Sequence, residues 1–115
     1  MNGGPGQDEL DGANGDDHLI GGADKDHLDG GSGEDIVQGG GASDSLRGGA
    51  DDDTVSGGAG DDRIYGEAGD DILVGGADDD RLRGGPDFDR DDGGSGADTC
   101  WGEKFVSCRI HHKPG

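Results

Sequence analysis

The sequence is poor in most of what builds a protein core. It holds one Trp, one Tyr and two Phe in 115 residues, and hydrophobic residues of all kinds make up 26%. So little apolar surface, joined to a high net charge, is ordinarily the mark of a disordered chain. Basic residues are scarce as well. Nine Lys and Arg stand against 28 Asp and Glu, for a formal charge of -19. Nucleic-acid binding needs basic patches to neutralise phosphates, so no nucleic-acid partner is expected. An anionic membrane surface is excluded on the same ground. The expected partner is itself positive: metal cations or a basic protein. No apolar run approaches the ~18 residues needed to cross a bilayer, so no membrane span is expected. Behind Met1 the chain reads Asn-Gly-Gly-Pro-Gly with no apolar stretch, so no secretory signal is expected in it. The chain is then cytoplasmic, a mature form or an excised piece, and the first repeat opening at Gly3 with no capping element before it reads as the boundary of a piece.

Glycine is abundant, at 29 residues, and it is not scattered. Written in nines from Gly3 the sequence reads GGPGQDELD, GANGDDHLI, GGADKDHLD, GGSGEDIVQ, GGGASDSLR, GGADDDTVS, GGAGDDRIY, GEAGDDILV, GGADDDRLR, GGPDFDRDD and GGSGADTCW. There is no insertion or deletion. A degenerate twelfth stretch, GEKFVSCRI, and the tail HHKPG follow. Position one is always glycine. Position six is aspartate in all eleven: Asp8, Asp17, Asp26, Asp35, Asp44, Asp53, Asp62, Asp71, Asp80, Asp89 and Asp98. Position eight is aliphatic in the first nine: Leu10, Leu19, Leu28, Val37, Leu46, Val55, Ile64, Leu73 and Leu82. A merely solvated acidic face needs no such fixed register.

Fixed periodicity of this kind is the signature of a solenoid. The pattern G-G-x-G-x-D-x-U-x, with U a large aliphatic residue, resembles the RTX (repeats-in-toxin) nonapeptide, a calcium-binding parallel β-helix repeat. The resemblance covers residues 3 to 101.

The residue types explain the geometry beside the family name. Six glycine-rich residues favour a tight turn. In the three that follow, the apolar middle residue faces in and its neighbours face out, as in a strand. Each nonad is then half a coil. The fold expected is all-β: a right-handed parallel β-roll, a two-sheet solenoid with 18 residues per coil, carrying a C-terminal cap. Residues 3–101 form the roll, and residues 102–115 the cap and tail. Its core is a single file of aliphatics, too thin to order so long a chain unaided.

The turns supply what the core lacks. Stacking places Asp8, Asp26, Asp44, Asp62, Asp80 and Asp98 along one edge and Asp17, Asp35, Asp53, Asp71 and Asp89 along the other. Such files repel unless a cation sits between carboxylates. An all-oxygen, carbonyl-rich set suits calcium better than magnesium. Six turns leave five gaps and five leave four, so about nine calcium ions are expected, with a summed charge near +18. The resemblance implies that carboxylates at position six and turn carbonyls from two adjacent turns hold each ion. The carboxylate role falls on the eleven aspartates; the carbonyl positions stay open.

Some residues depart from the pattern. Position four is Asp24, Asp51, Asp78, Asp87 or Ala42 where glycine is usual, and GGAD recurs every 27 residues. If that position needs positive φ, aspartate is tolerated and Ala42 is the poorest fit. Asp91 replaces the aliphatic of the tenth repeat, which predicts that the regular roll ends near residue 90. The position-five acids Asp16, Asp52, Asp61, Asp70 and Asp79 read as surface charge rather than as ligands. His18 and His27 fall on opposite outer faces, so no shared metal site is expected of them; His111 and His112 lie in the tail.

Cys100 and Cys108 lie beyond Asp91. A cysteine pair suits an oxidising, extracellular compartment. The ending Asp98-Thr99-Cys100-Trp101-Gly102 with a second cysteine is similar to secreted RTX calcium-binding proteins of Gram-positive bacteria. That likeness implies a Cys100–Cys108 disulfide locking a cap in which Trp101 and Phe105 cover the last rung. The other reading is two free thiols in a frayed tail.

No H-E-x-x-H, G-x-S-x-G or G-x-x-x-x-G-K-[ST] is present. Residues 87–91 superficially resemble an EF-hand loop but lack its glycine and terminal glutamate. The chain is therefore expected to be no enzyme but a secreted, extracellular calcium-binding module that folds on binding several ions. The alternatives are a structural spacer or adhesin-type repeat, and the C-terminal RTX block of a larger secreted enzyme or toxin. The open first rung at Gly3 could pair end to end with another copy.

Overall fold

The computed structural model describes residues 2–86, 88–95, 99–101 and 104–111; for Phe88, Ser95, Trp101 and 104–111 the description is of the backbone. Each nonad turns once and then runs as one strand. The odd repeats give β1 (Glu9–Asp11), β3 (His27–Asp29), β5 (Ser45–Arg47), β7 (Arg63–Tyr65), β9 (Arg81–Arg83) and β11 (Thr99–Trp101). These three-residue strands pair side by side in that order as one sheet. The even repeats give β2 (His18–Gly22), β4 (Ile36–Gly40), β6 (Thr54–Gly58), β8 (Ile72–Gly76) and β10 (Phe88–Ser95), and with β12 (Lys104–His111) they form the second. Every pairing is parallel. In the regular part partners stand 18 residues apart, as in Leu10↔Leu28 and Leu19↔Val37. The two-sheet parallel roll expected from the repeat is the observed fold.

Side chains at position eight close the space between the sheets. Leu19, Leu28, Val37, Leu46, Val55, Ile64, Leu73 and Leu82 are all 0% exposed and make one contiguous cluster. Leu10, on the first rung, is partly buried and packs against the cluster. The roll is 12 Å across in its shortest principal extent, which leaves room for one layer of side chains.

The regular pairing does not stop near residue 90. In β10, Arg90 pairs with Ile72, Asp91 with Leu73 and Asp92 with Val74, in unbroken register. Across the roll, Thr99, Cys100 and Trp101 pair with Arg81, Leu82 and Arg83. Parallel pairing is made by backbone amides and carbonyls, so a polar side chain in the core file leaves the ladder intact. Register shifts enter one strand later, between β10 and β12.

The turn backbone is left-handed at two places. Position two has positive φ throughout, from Gly4 (80°) to Gly94 (82°), including Ala13 (68°) and Glu67 (70°). Position four is the second, and there Ala42 (66°), Asp51 (75°) and Asp78 (72°) stand in for glycine. Asp24 does not follow them, so the expectation for position four holds at three of its four described departures.

Candidate metal centre

The position-six aspartates from Asp8 to Asp80 point inward, each two residues before an aliphatic. Asp26, Asp35, Asp44, Asp53, Asp62, Asp71, Asp80 and Asp89 are all 3% exposed or less. Asp8 and Asp17 are half-buried at the start of the stack. As expected, alternate aspartates line opposite edges, and a hydrogen bond records each step. The amide of Asp8 donates to Oδ1 of Asp26 at 2.8 Å, that of Asp26 to Asp44 at 2.7 Å, that of Asp44 to Asp62 and that of Asp62 to Asp80 at 2.8 Å. On the other edge Asp17, Asp35, Asp53 and Asp71 donate in turn to Asp35, Asp53, Asp71 and Asp89. One carboxylate oxygen is thus occupied in ordering the stack.

The other oxygen is not. Oδ2 of Asp8, Asp17, Asp26, Asp35, Asp44, Asp53, Asp62 and Asp71 is buried and has no hydrogen-bond partner. Burying an anionic oxygen without a donor is costly. The cost shows in the acidities. Burial first, and neighbouring carboxylates after it, raise the carboxyl of Asp44 to about 6, those of Asp53 and Asp62 to about 7 and that of Asp71 to about 9, and also raise Asp35.

What surrounds Oδ2 is a second oxygen. A Cβ placed on Gly21 would lie 2.6 Å from Asp26 Oδ2 and 2.8 Å from the carbonyl oxygen of Gly39, one coil on. The same pair frames Gly3 (Asp8 and Gly21), Gly30 (Asp35 and Gly48), Gly48 (Asp53 and Gly66), Gly66 (Asp71 and Gly84) and Gly75 (Asp80 and Gly93). Position one is therefore glycine for space, not for φ. Its missing side chain keeps a carboxylate oxygen and a carbonyl oxygen facing one point. Two acceptors converging without a donor fit a hard cation that takes oxygen ligands, including backbone carbonyls. Among the described residues no group of three His, Cys, Asp or Glu side chains could hold a metal, so a cation here would rely on those carbonyls. A position-one carbonyl thus stands beside each framed carboxylate, where the sequence left the carbonyl positions open. The unbroken run of glycine at that position is the signal that could have found them.

The other acids shape the rim. Position-five acids are exposed, as expected of surface charge, yet they also cap amides of the next coil: Glu34 N donates to Asp16 at 2.9 Å, Asp70 N to Asp52 at 2.7 Å and Asp79 N to Asp61 at 2.9 Å. Position-four aspartates cap the coil before: Gly6 N donates to Asp24, Gly33 N to Asp51 and Gly60 N to Asp78. His18 and His27 lie in different sheets with both rings exposed, His18 Nε2 standing 3.3 Å from Gln38 Oε1. Asp98, Asp87 and the Cys108 side chain lie outside the described residues.

A family model for the RTX calcium-binding nonapeptide repeat, four copies long, matches residues 2–37, 29–64, 38–73, 56–91 and 74–105. The chain belongs to the RTX calcium-binding repeat family. Membership implies calcium binding, and the buried, stacked aspartates of this RTX roll fit it. RTX repeats and β-solenoids are structural modules rather than enzymes. No curated protein and no solved structure matches the chain. No helix among the described residues is long and apolar enough to cross a membrane.

Proposed function

We propose that this RTX chain is a calcium-driven folding module that works outside the cell. The observation that carries the reading is the row of buried Oδ2 atoms, each facing a carbonyl oxygen of the next coil with no donor between them. Position-six aspartates from Asp8 to Asp98 supply the carboxylates and position-one glycines the carbonyls. About nine ions fill the gaps of the two edges. Without them the chain carries a formal charge of -19, and its turns hold repelling carboxylates over a one-layer core. Metal binding that completes such a site is folding free energy. Where calcium is scarce the chain stays open; at extracellular calcium, with affinities of about 10⁻⁴–10⁻³ M, it closes. Residues 102–115 cap the roll, joined to it by a Cys100–Cys108 disulfide.

Far-UV circular dichroism during a calcium titration from chelator, with magnesium as control, tests the reading. A cooperative change from coil to β signal with calcium alone is expected. A coil spectrum persisting to tens of millimolar calcium would overturn calcium-driven folding. A β spectrum already present in chelator would overturn it from the other side.

A further inference from the structure

The charges on the outer face of the first sheet are sorted by height along the roll. Positions seven and nine of each odd repeat flank the inward residue and point out. On β1 they are Glu9 and Asp11, and β3 adds Asp29. Further along, Arg47 stands on β5, Arg63 on β7 beside Tyr65, and Arg81 and Arg83 on β9. Acids thus occupy the first two strands of this face and arginines the next three. Four of the nine basic residues of the chain are gathered there. All four are exposed, as are Glu9 and Asp11, with Asp29 half-buried.

Like charges set directly across a sheet repel. Asp11 and Asp29 are Cα partners at one end, and Arg63 and Arg81 at the other. Arg47 is answered within its own chain, by Glu67 at 3.0 Å and by the Tyr65 ring 6.0 Å from its guanidinium carbon. Arg63 and Arg81 have no ion-pair partner among the described residues.

The face is complementary to itself. A second copy turned over about an axis along β5 would lay its own first sheet on this one, with the two rolls antiparallel. β1 then meets the partner's β9, and position seven lies over position seven. Glu9 faces the partner's Arg81 and Asp11 faces the partner's Arg83, and the axis repeats both pairs. Arg83 has a contact within its own chain, and a guanidinium carries five N–H donors to share. Asp29 lies over the partner's Tyr65, whose hydroxyl can donate to it. Arg47 falls near the axis, opposite its own copy, and is the arginine whose charge Glu67 already balances.

We infer that calcium-loaded rolls pair face to face as antiparallel dimers through β1, β3, β5, β7 and β9. The pairing rests on the reading of the turns as calcium sites. Two chains at -19 each repel, and calcium in the turns removes that repulsion. Five strands about 4.8 Å apart make a small interface, so the dimer is of the weak, charge-held class and is sensitive to salt.

Analytical ultracentrifugation of the full chain in saturating calcium, with circular dichroism as the check on folding, tests the pairing. At low salt the mass is expected to rise with concentration from 11.5 kDa towards twice that value. At about 1 M salt, where charges are screened within ~3 Å, it should stay at the single-chain mass. Two double variants reverse one end each: Arg81→Glu with Arg83→Glu, and Glu9→Arg with Asp11→Arg. Each alone sets like charges against each other and should remain a monomer. Mixed in equal amounts they should form a heterodimer, because every pair is then restored with its sign exchanged. A folded chain that stays single at every concentration overturns the pairing and leaves the calcium reading standing. So does a dimer that survives 1 M salt, a variant that still pairs with itself, or a mixture that stays monomeric. A chain that remains coil in calcium overturns both.

Discussion

A position-six aspartate does two jobs with two oxygens, and the jobs can be separated. Oδ1 of Asp62 accepts the amide of Asp44, while its Oδ2 is buried beyond any donor. Asparagine keeps an acceptor for the amide and removes the charge. Asp62→Asn is therefore expected to order the metal-free chain and to weaken calcium binding, whereas Asp62→Ala loses both roles. Circular dichroism in chelator and a calcium titration distinguish the two variants. Glycine at position one is tested differently. The Cβ of Gly21→Ala would stand between Asp26 Oδ2 and the Gly39 carbonyl. Calcium affinity at that gap should drop by roughly tenfold or more, read by isothermal titration. Ala42, at φ 66°, is the opposite case. Ala42→Gly should stabilise the calcium-loaded roll by about 0.5–1 kcal/mol, seen as a higher thermal midpoint.

Each strand from β2 to β9 buries one side chain. Leu46 has Leu28 below and Ile64 above, with nothing else at its own level in its sheet to share the load. Leu46→Ala should cost about 2–5 kcal/mol, and calcium should be needed at a higher concentration to reach the same β signal. This plainness is why so much was legible beforehand. A period of two within each nonad and a period of 18 between strands are enough to place position eight inside and to sort the aspartates into two files. What stayed hidden is what side-chain type does not encode. Left-handed backbone at position two was masked because glycine there looks the same as glycine needed for space at position one. Asp91 misled because hydrophobic pattern was taken as the condition for pairing, when the ladder of β10 needs only backbone. The direction in which each aspartate caps its neighbour is set by turn geometry, not by the order of residues.

Across the whole molecule, four carboxyls in the middle of the stack hold their protons more tightly when folded without metal. The carboxyls of Asp44, Asp53, Asp62 and Asp71 are raised above 3.8, the usual value, to between about 6 and about 9. A raised acid binds its proton more tightly folded than unfolded, so it opposes folding fully above the raised value and ceases to oppose it below the usual one. In chelator, β structure should accordingly increase as pH falls from about 9 towards 4. In calcium the sign reverses, because the same protons compete for the same oxygens. The calcium midpoint should rise as pH drops through about 7 to 6. Circular dichroism at a series of pH values, in chelator and at fixed calcium, reads both branches.

The 18-residue step that stacks the coils has a further effect on assembly. Cross-coil partners in the regular part are a whole coil apart, and successive coils offer nearly the same set of groups: a Leu file, an Asp file and a glycine file. A chain that skips one coil while closing still finds a matching groove, loses 18 residues as a loop, and forms almost every bond it would have formed in its proper place. Such slipped forms are near-degenerate traps. What tells them apart is the set of irregular residues: Ala13, Ala42 and Glu67 at positive φ where glycine is usual, and Asp91 in the core file. In this roll the imperfections carry the address.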